Sequence, residues 1–128
     1  MKKTNWTGAD CPPTYTVRRN AGLLQLTLYV DVVHTTQGEE GVTEDEWSAV
    51  RIEMPIGVID YGSIVSAIID SHYTNDQMQA IVNNHLIGEH EDVFAEMQEY
   101  RTYAKRTAQE IVDDMNTEER EGKEEDNG

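Results

Sequence analysis

The chain has 128 residues, 38% of them hydrophobic, and a formal net charge of −15. That length suits one domain with a real core and no need of disulfides or a metal. Ten Lys and Arg against 25 Asp and Glu argue against nucleic acid and anionic membrane as partners, because binding to phosphates relies on cationic side chains that release counterions. The same balance favours solubility and a basic protein partner.

The charge is not confined to one end. Residues 113–128 hold eight acidic and two basic residues, a local −6, which leaves −9 on the first 112. The single cysteine, Cys11, allows no intrachain disulfide and fits a reducing compartment. Met1 to Trp6 carries two lysines but no apolar stretch, so it does not read as a signal peptide. No apolar run is long enough to span a bilayer. The expected location is the cytoplasm or a virion.

Residues 1–13 read as a flexible arm. Gly8, Pro12 and Pro13 punctuate it, no periodicity organises it, and Trp6 is its one large anchor. Thr14 to Arg19 reads as a short strand with Tyr15 and Val17 on one face, followed by a turn at Asn20-Ala21-Gly22. Leu23 to Thr35 reads as a long strand. Leu24, Leu26, Leu28, Val30 and Val32 alternate with Gln25, Thr27, Tyr29 and Asp31, which places the even positions on a core face. Thirteen residues is long for one strand, so a bulge or strong twist is expected. Gln37 to Asp45 reads as a loop, and Ser48, Val50, Ile52 and Met54 as the inward side of a third strand that pairs with the second. Such a three-stranded meander covers one face only, and the helices that follow are expected to cover the leucine-rich one.

Pro55 and Gly57 are expected to end the third strand. Asp60 is placed to cap a helix whose apolar positions are Ile64, Val65, Ile68 and Ile69. Thr74 with Gln77 three residues later forms a capping box for a second helix, with Met78, Ile81, Val82 and Leu86 as its stripe and Gly88 at its end. A third helix is expected from Glu89 or His90 to Met115. Val93, Met97, Tyr100, Ala104, Ala108, Ile111 and Met115 recur at steps close to a heptad, and Glu96, Glu99, Arg101, Lys105, Arg106, Glu110 and Asp113 face away. At about 39 Å this helix equals or exceeds the width of a domain of this size, so it either crosses the whole domain or projects beyond it, where its apolar stripe would need another chain. Residues 116–128 read as a disordered acidic tail. The expected fold is therefore α+β: an arm at 1–13, a single domain at 14–115 made of a three-stranded antiparallel meander and three α-helices, and the tail.

Few constellations suggest chemistry. His85 and His90 flank Gly88 beside Glu89, Glu91 and Asp92, residue types that bind divalent metals. The HExxH spacing fails because position 94 is Phe, and ordinary loop and cap roles account better for both histidines. Asp70-Ser71-His72 holds the three residue types of a hydrolase triad, but neighbours in sequence point apart on a helix. Cys11 has no evident base. Gln37 to Glu46 is rich in oxygen ligands but lacks the EF-hand order. No cofactor and no enzyme activity is expected. Tyr100 and Tyr103, one turn apart on the third helix, suit either the edge of the core or an interface, where tyrosine is enriched.

The segments Asp60 to Ile69, Tyr73 to Asn84, Glu96 to Arg101 and Ala104-Lys105 together resemble short, uncharacterised proteins of Bacteroides-type phages and prophages, over about residues 60–106. The resemblance implies a virion or tail-assembly accessory and brings no catalytic motif. The expected function is a non-enzymatic interaction module that binds a protein partner, a second copy of itself, or both. Its anchors would be Trp6, Tyr100, Tyr103, Ile111 and Met115. The alternatives are a small metal-dependent enzyme and an acidic inhibitor of a basic host protein.

Overall fold

The computed structural model describes residues 2–20, 23–39, 42–56 and 60–126, with side chains in the last helix described through Thr117. The protein is α+β. Four strands, β1 (Lys2–Gly8), β2 (Tyr15–Asn20), β3 (Leu23–Glu39) and β4 (Val42–Ile56), precede three helices, α1 (Tyr61–His72), α2 (Asn75–Leu86) and α3 (Glu91–Asp126). They fall into two compact units, Met1–Ile59 and Asp60–Gly128.

The strands form one antiparallel sheet in the order β1-β4-β3-β2. Two expectations change here. The segment read as an arm contains a fourth strand, in register from Lys2 opposite Glu53 to Gly8 opposite Trp47. Its alternation is polar on both sides apart from Trp6, so periodicity alone did not mark it; an edge strand needs only one neighbour to pair with. Of the segment read as a loop, Gln37 to Asp45, residues 37–39 and 42–45 belong to the β3–β4 ladder, whose pairing runs out to Glu39 opposite Val42, and Glu40 and Gly41 lie outside the described residues. Ala21 and Gly22 of the expected first turn, and Gly57, lie outside the described residues.

β3 and β4 are long, at 17 and 15 residues, and β3 carries the expected bulge. The register passes from Val30 opposite Val50 to Val33 opposite Ser48, so Asp31 and Val32 oppose Ala49 alone. Asp31 takes φ 54°, the left-handed conformation that Asp tolerates better than most residues and that a bulge of this kind uses. The extra residue breaks the alternation. Leu26, Leu28, Val30, Ile52 and Met54 are buried as the pattern required, but Val32, expected to continue that row, is 40% exposed.

The other face of the sheet is polar with an aromatic strip. Trp6 meets Tyr29 edge to face at 5.6 Å, opposite the buried Ala49. The Arg51 guanidinium donates to Thr4 Oγ1 at 3.3 Å and lies 3.8 Å from Glu53. Trp6 also lies over Gly8, where a Cβ would sit 2.6 Å from the ring. Further along the ribbon, Trp47 stacks on His34 with centroids 4.1 Å apart.

The helices begin and end as their sequence signals dictate. Asp60 accepts from Gly62 N at 2.8 Å and from Ser63 Oγ at 2.7 Å, satisfying a donor that a helix start leaves orphaned. Thr74 and Gln77 form the full capping box. α2 ends on Gly88 at φ 76°. Gly88 N donates to the His85 carbonyl and Glu89 N to that of Asn84, the paired bonds of a Schellman stop.

Within this unit α1 packs on α3. Ile64, Ala67, Ile68 and Ser71 of α1 are buried, as are Met97, Ala104, Thr107, Ala108 and Ile111 of α3. Both rows recur at three- and four-residue steps, one face of a helix each. α3 has 36 residues, about 54 Å at 1.5 Å per residue. Its backbone stays helical through the stretch expected to be disordered, as far as Asp126. The stretch lacks apolar positions but is rich in Glu, Arg and Lys, good helix formers, and extending an existing helix needs no new nucleus.

Two substitutions test this account. Asp31→Val places a β-branched residue at positive φ and should destabilise the protein by about 1–2 kcal/mol, read as a lower urea midpoint of Trp fluorescence. Asp60→Ala should lower the melting temperature of the helical signal at neutral pH. The Ser63 hydroxyl and then the Gly62 N–H hold the Asp60 pKa below its ordinary value of 3.8. A lowered folded-state pKa adds stability that is complete above the unfolded-state value and is lost as pH falls through the folded one. The difference between Asp60→Ala and the parent protein should therefore vanish in strong acid.

Candidate functional site

The sequence placed the interaction surface on α3; the folded chain uses most of that stripe for itself. Ile111 is 0% exposed and offers nothing to a partner in this state. Tyr100, Tyr103 and Met115 are half-buried. Tyr100 stacks on His72 with centroids 4.0 Å apart, meets Tyr73 edge to face at 5.7 Å and lies 5.5 Å from Tyr103. Its hydroxyl is 3.5 Å from the Ile68 carbonyl. Four aromatic rings thus join the end of α1 to α3, and offset or edge-on ring pairs of this kind each add about 0.5–1.5 kcal/mol. Trp6, the fifth candidate, docks on the chain's own sheet against Tyr29.

The residues weighed for chemistry also have structural partners. Ser71 is buried, and its hydroxyl donates to the Ile68 carbonyl at 2.6 Å; His72 is turned to Tyr100. His85 stacks flat on Phe94, with centroids 3.6 Å apart and planes 2° apart, and its Nδ1 lies 2.8 Å from Glu91 Oε2. These contacts fasten the end of α2 to the start of α3. His90 takes φ 51°, and its carbonyl accepts from Val93 N and Phe94 N, which starts α3. Among the described residues no three His, Cys, Asp or Glu side chains gather as a metal would require. Cys11 is exposed, with its thiol 3.5 Å from the Pro12 carbonyl.

What the fold leaves open is α2. The sequence assigned Met78, Ile81, Val82 and Leu86 to one inward stripe. Met78 and Ile81 are half-buried, but none of the helix is buried. Val82 is 37% exposed, Leu86 75% and Ile87, at the C-cap, 69%. Met78, Val82 and Leu86 recur every fourth residue, so they climb one side of the helix. A shallow depression beside them is lined by Met78, Gln79, Val82 and Asn83. Single exposed apolar residues are ordinary; several in a row on one helix mark an interaction surface. The missed signal is composition: α1 draws on three Ile, one Val and one Ala, whereas α2 dilutes its apolar positions with Asn, Gln and His.

At the bulge of β3, Val32 and Val33 are also exposed, the latter 55%. Among the described residues no helix is long and apolar enough to cross a membrane.

No protein-family model, no curated protein and no solved structure matches this chain. The reading of the surface therefore rests on its own geometry.

His85→Ala removes the ring stack on Phe94 together with the bond to Glu91. It should destabilise the helical unit by about 1 kcal/mol, seen as a lower urea midpoint of the circular dichroism at 222 nm.

Proposed function

We propose that this protein is a non-enzymatic protein-interaction module that serves as a virion or tail-assembly accessory of a phage or prophage. The observation that carries the interaction reading is α2: a well-capped helix with no buried side chain that displays Val82, Leu86 and Ile87 to solvent. Holding such a helix in place, with a complete capping box at one end and a Schellman stop at the other, yields a rigid surface of the kind that binds with little loss of conformational freedom. The phage assignment draws on the resemblance of residues 60–106 to short phage and prophage proteins. The acidic surface, at −15 over the chain, fits an assembly factor that keeps a partner soluble and accessible until it is built in.

The test is made on the assembling system. Tagged full-length protein expressed during particle production should be found in purified particles or in a defined assembly intermediate, identified by mass spectrometry of the fractions. Sedimentation velocity of the purified chain should show either self-association or a complex with one of those components. A monomer that enters neither particles nor intermediates would remove the reading.

A further inference from the structure

The exposed side of α2 lies in a stretch of unusual charge. From Asp60 to Tyr100 there are eight acidic residues and not one Lys or Arg. The block covers α1, α2 and the first turns of α3. All eight carboxylates are on exposed residues: Asp60, Asp70, Asp76, Glu89, Glu91, Asp92, Glu96 and Glu99. Asp76 lies at the start of α2, and Glu89, Glu91 and Asp92 follow its end. The apolar row Val82-Leu86-Ile87 is therefore framed by negative charge at both ends.

That framing selects the occupant. A second copy would bring the same block of eight carboxylates against the first, and like charges facing one another across an interface are repulsive. The acidic end of this chain, −6 over residues 113–128, has the wrong sign too. A partner with apolar anchors and flanking Lys or Arg satisfies both features at once, since complementary charge steers the encounter while the apolar row supplies the contact.

We infer that α2 and the adjoining acidic turn form a docking surface for a basic amphipathic helix of another protein. This rests on the interaction-module reading and names the surface and the partner's chemistry. α2 has 12 residues, about 18 Å of axis, which sets the span of the bound segment at roughly three turns with apolar residues at i, i+4 and i+7 or i+8. Three exposed anchors make a small interface, so the complex is of order micromolar and salt-sensitive.

The full-length chain is titrated against a fluorescein-labelled peptide of about 18 residues made only of Leu and Lys, with Leu at helical spacing. Two controls accompany it: the same residues in scrambled order, and the same pattern with Glu for Lys. The patterned Leu/Lys peptide should bind, the Glu peptide should not, and the scrambled one should bind at least about tenfold more weakly. The double variant Leu86→Gln/Ile87→Gln changes exposed positions only and should keep the circular dichroism of the parent. It should lose about tenfold in affinity, and Glu89→Lys/Asp92→Lys should do the same while flattening the salt dependence. Equal binding of scrambled and patterned peptides, or full affinity in the Gln variant, overturns the assignment in favour of unspecific charge attraction. A parent that dimerises while the Gln variant stays monomeric overturns it in favour of a second copy. If the protein enters particles but the Gln variant enters equally well, this surface is wrong while the interaction-module reading stands.

Discussion

The sheet-forming unit depends on one ladder, the pairing of β3 with β4. These two strands run together from Leu24 opposite Ile56 to Glu39 opposite Val42, and each outer strand hangs on one of them, β1 on β4 and β2 on β3. The bulge at Asp31 divides the ladder. Before it, the apolar alternation buries Leu26, Leu28 and Val30 opposite Met54, Ile52 and Val50. β2 pairs no further along β3 than Leu28, ahead of the bulge, and β1 ends just past it, at Gly8 opposite Trp47, so from Thr35 opposite Glu46 onward the hairpin continues as a two-stranded ribbon. The bulge thus interrupts the apolar alternation along β3.

The helical unit has its own spine in α3. Small residues at Ala104 and Ala108 leave room for close approach, and larger ones at Met97 and Ile111 fill the ends of the buried row. The rings of His72, Tyr73, Tyr100 and Tyr103 bind the end of α1 to the same helix. α2 is held differently, by its caps, by the turn at Gly88 and by the His85–Phe94 stack. It is fixed in position at its ends while its side carries no buried residue. This separation of anchoring from burial is what frees Val82, Leu86 and Ile87.

Exposed apolar surface and negative charge meet at that helix. An apolar row alone would aggregate; an acidic surface alone would stay dispersed and bind by long-range attraction only. Under the docking proposed above, the two together would let the surface tolerate water and discriminate between partners by the sign of their charge. The long acidic end of α3 reinforces that bias.

Much of this was legible in the residues. The bulge in an overlong strand, the cap at Asp60, the box at Thr74 and Gln77, the stop at Gly88 and the buried row of α3 all follow from short-range rules, which depend on neighbours within a few positions. The strand at Lys2–Gly8 was not legible, because an edge strand with polar residues on both faces takes its conformation from the partner it pairs with. Val32 was misplaced for a related reason: alternation predicts a face only until the register slips, and the pattern does not say where. Ile111, read as an interface anchor, is buried, because an apolar stripe states that burial is needed, not what supplies it. Sequence by itself determined the three helices, the cores of β2, β3 and β4, and that the chain is acidic. Tertiary structure alone decided that Ile111 is buried and Leu86 exposed, because burial is a property of how elements pack and two stripes of similar spacing compete for the same limited area of cover.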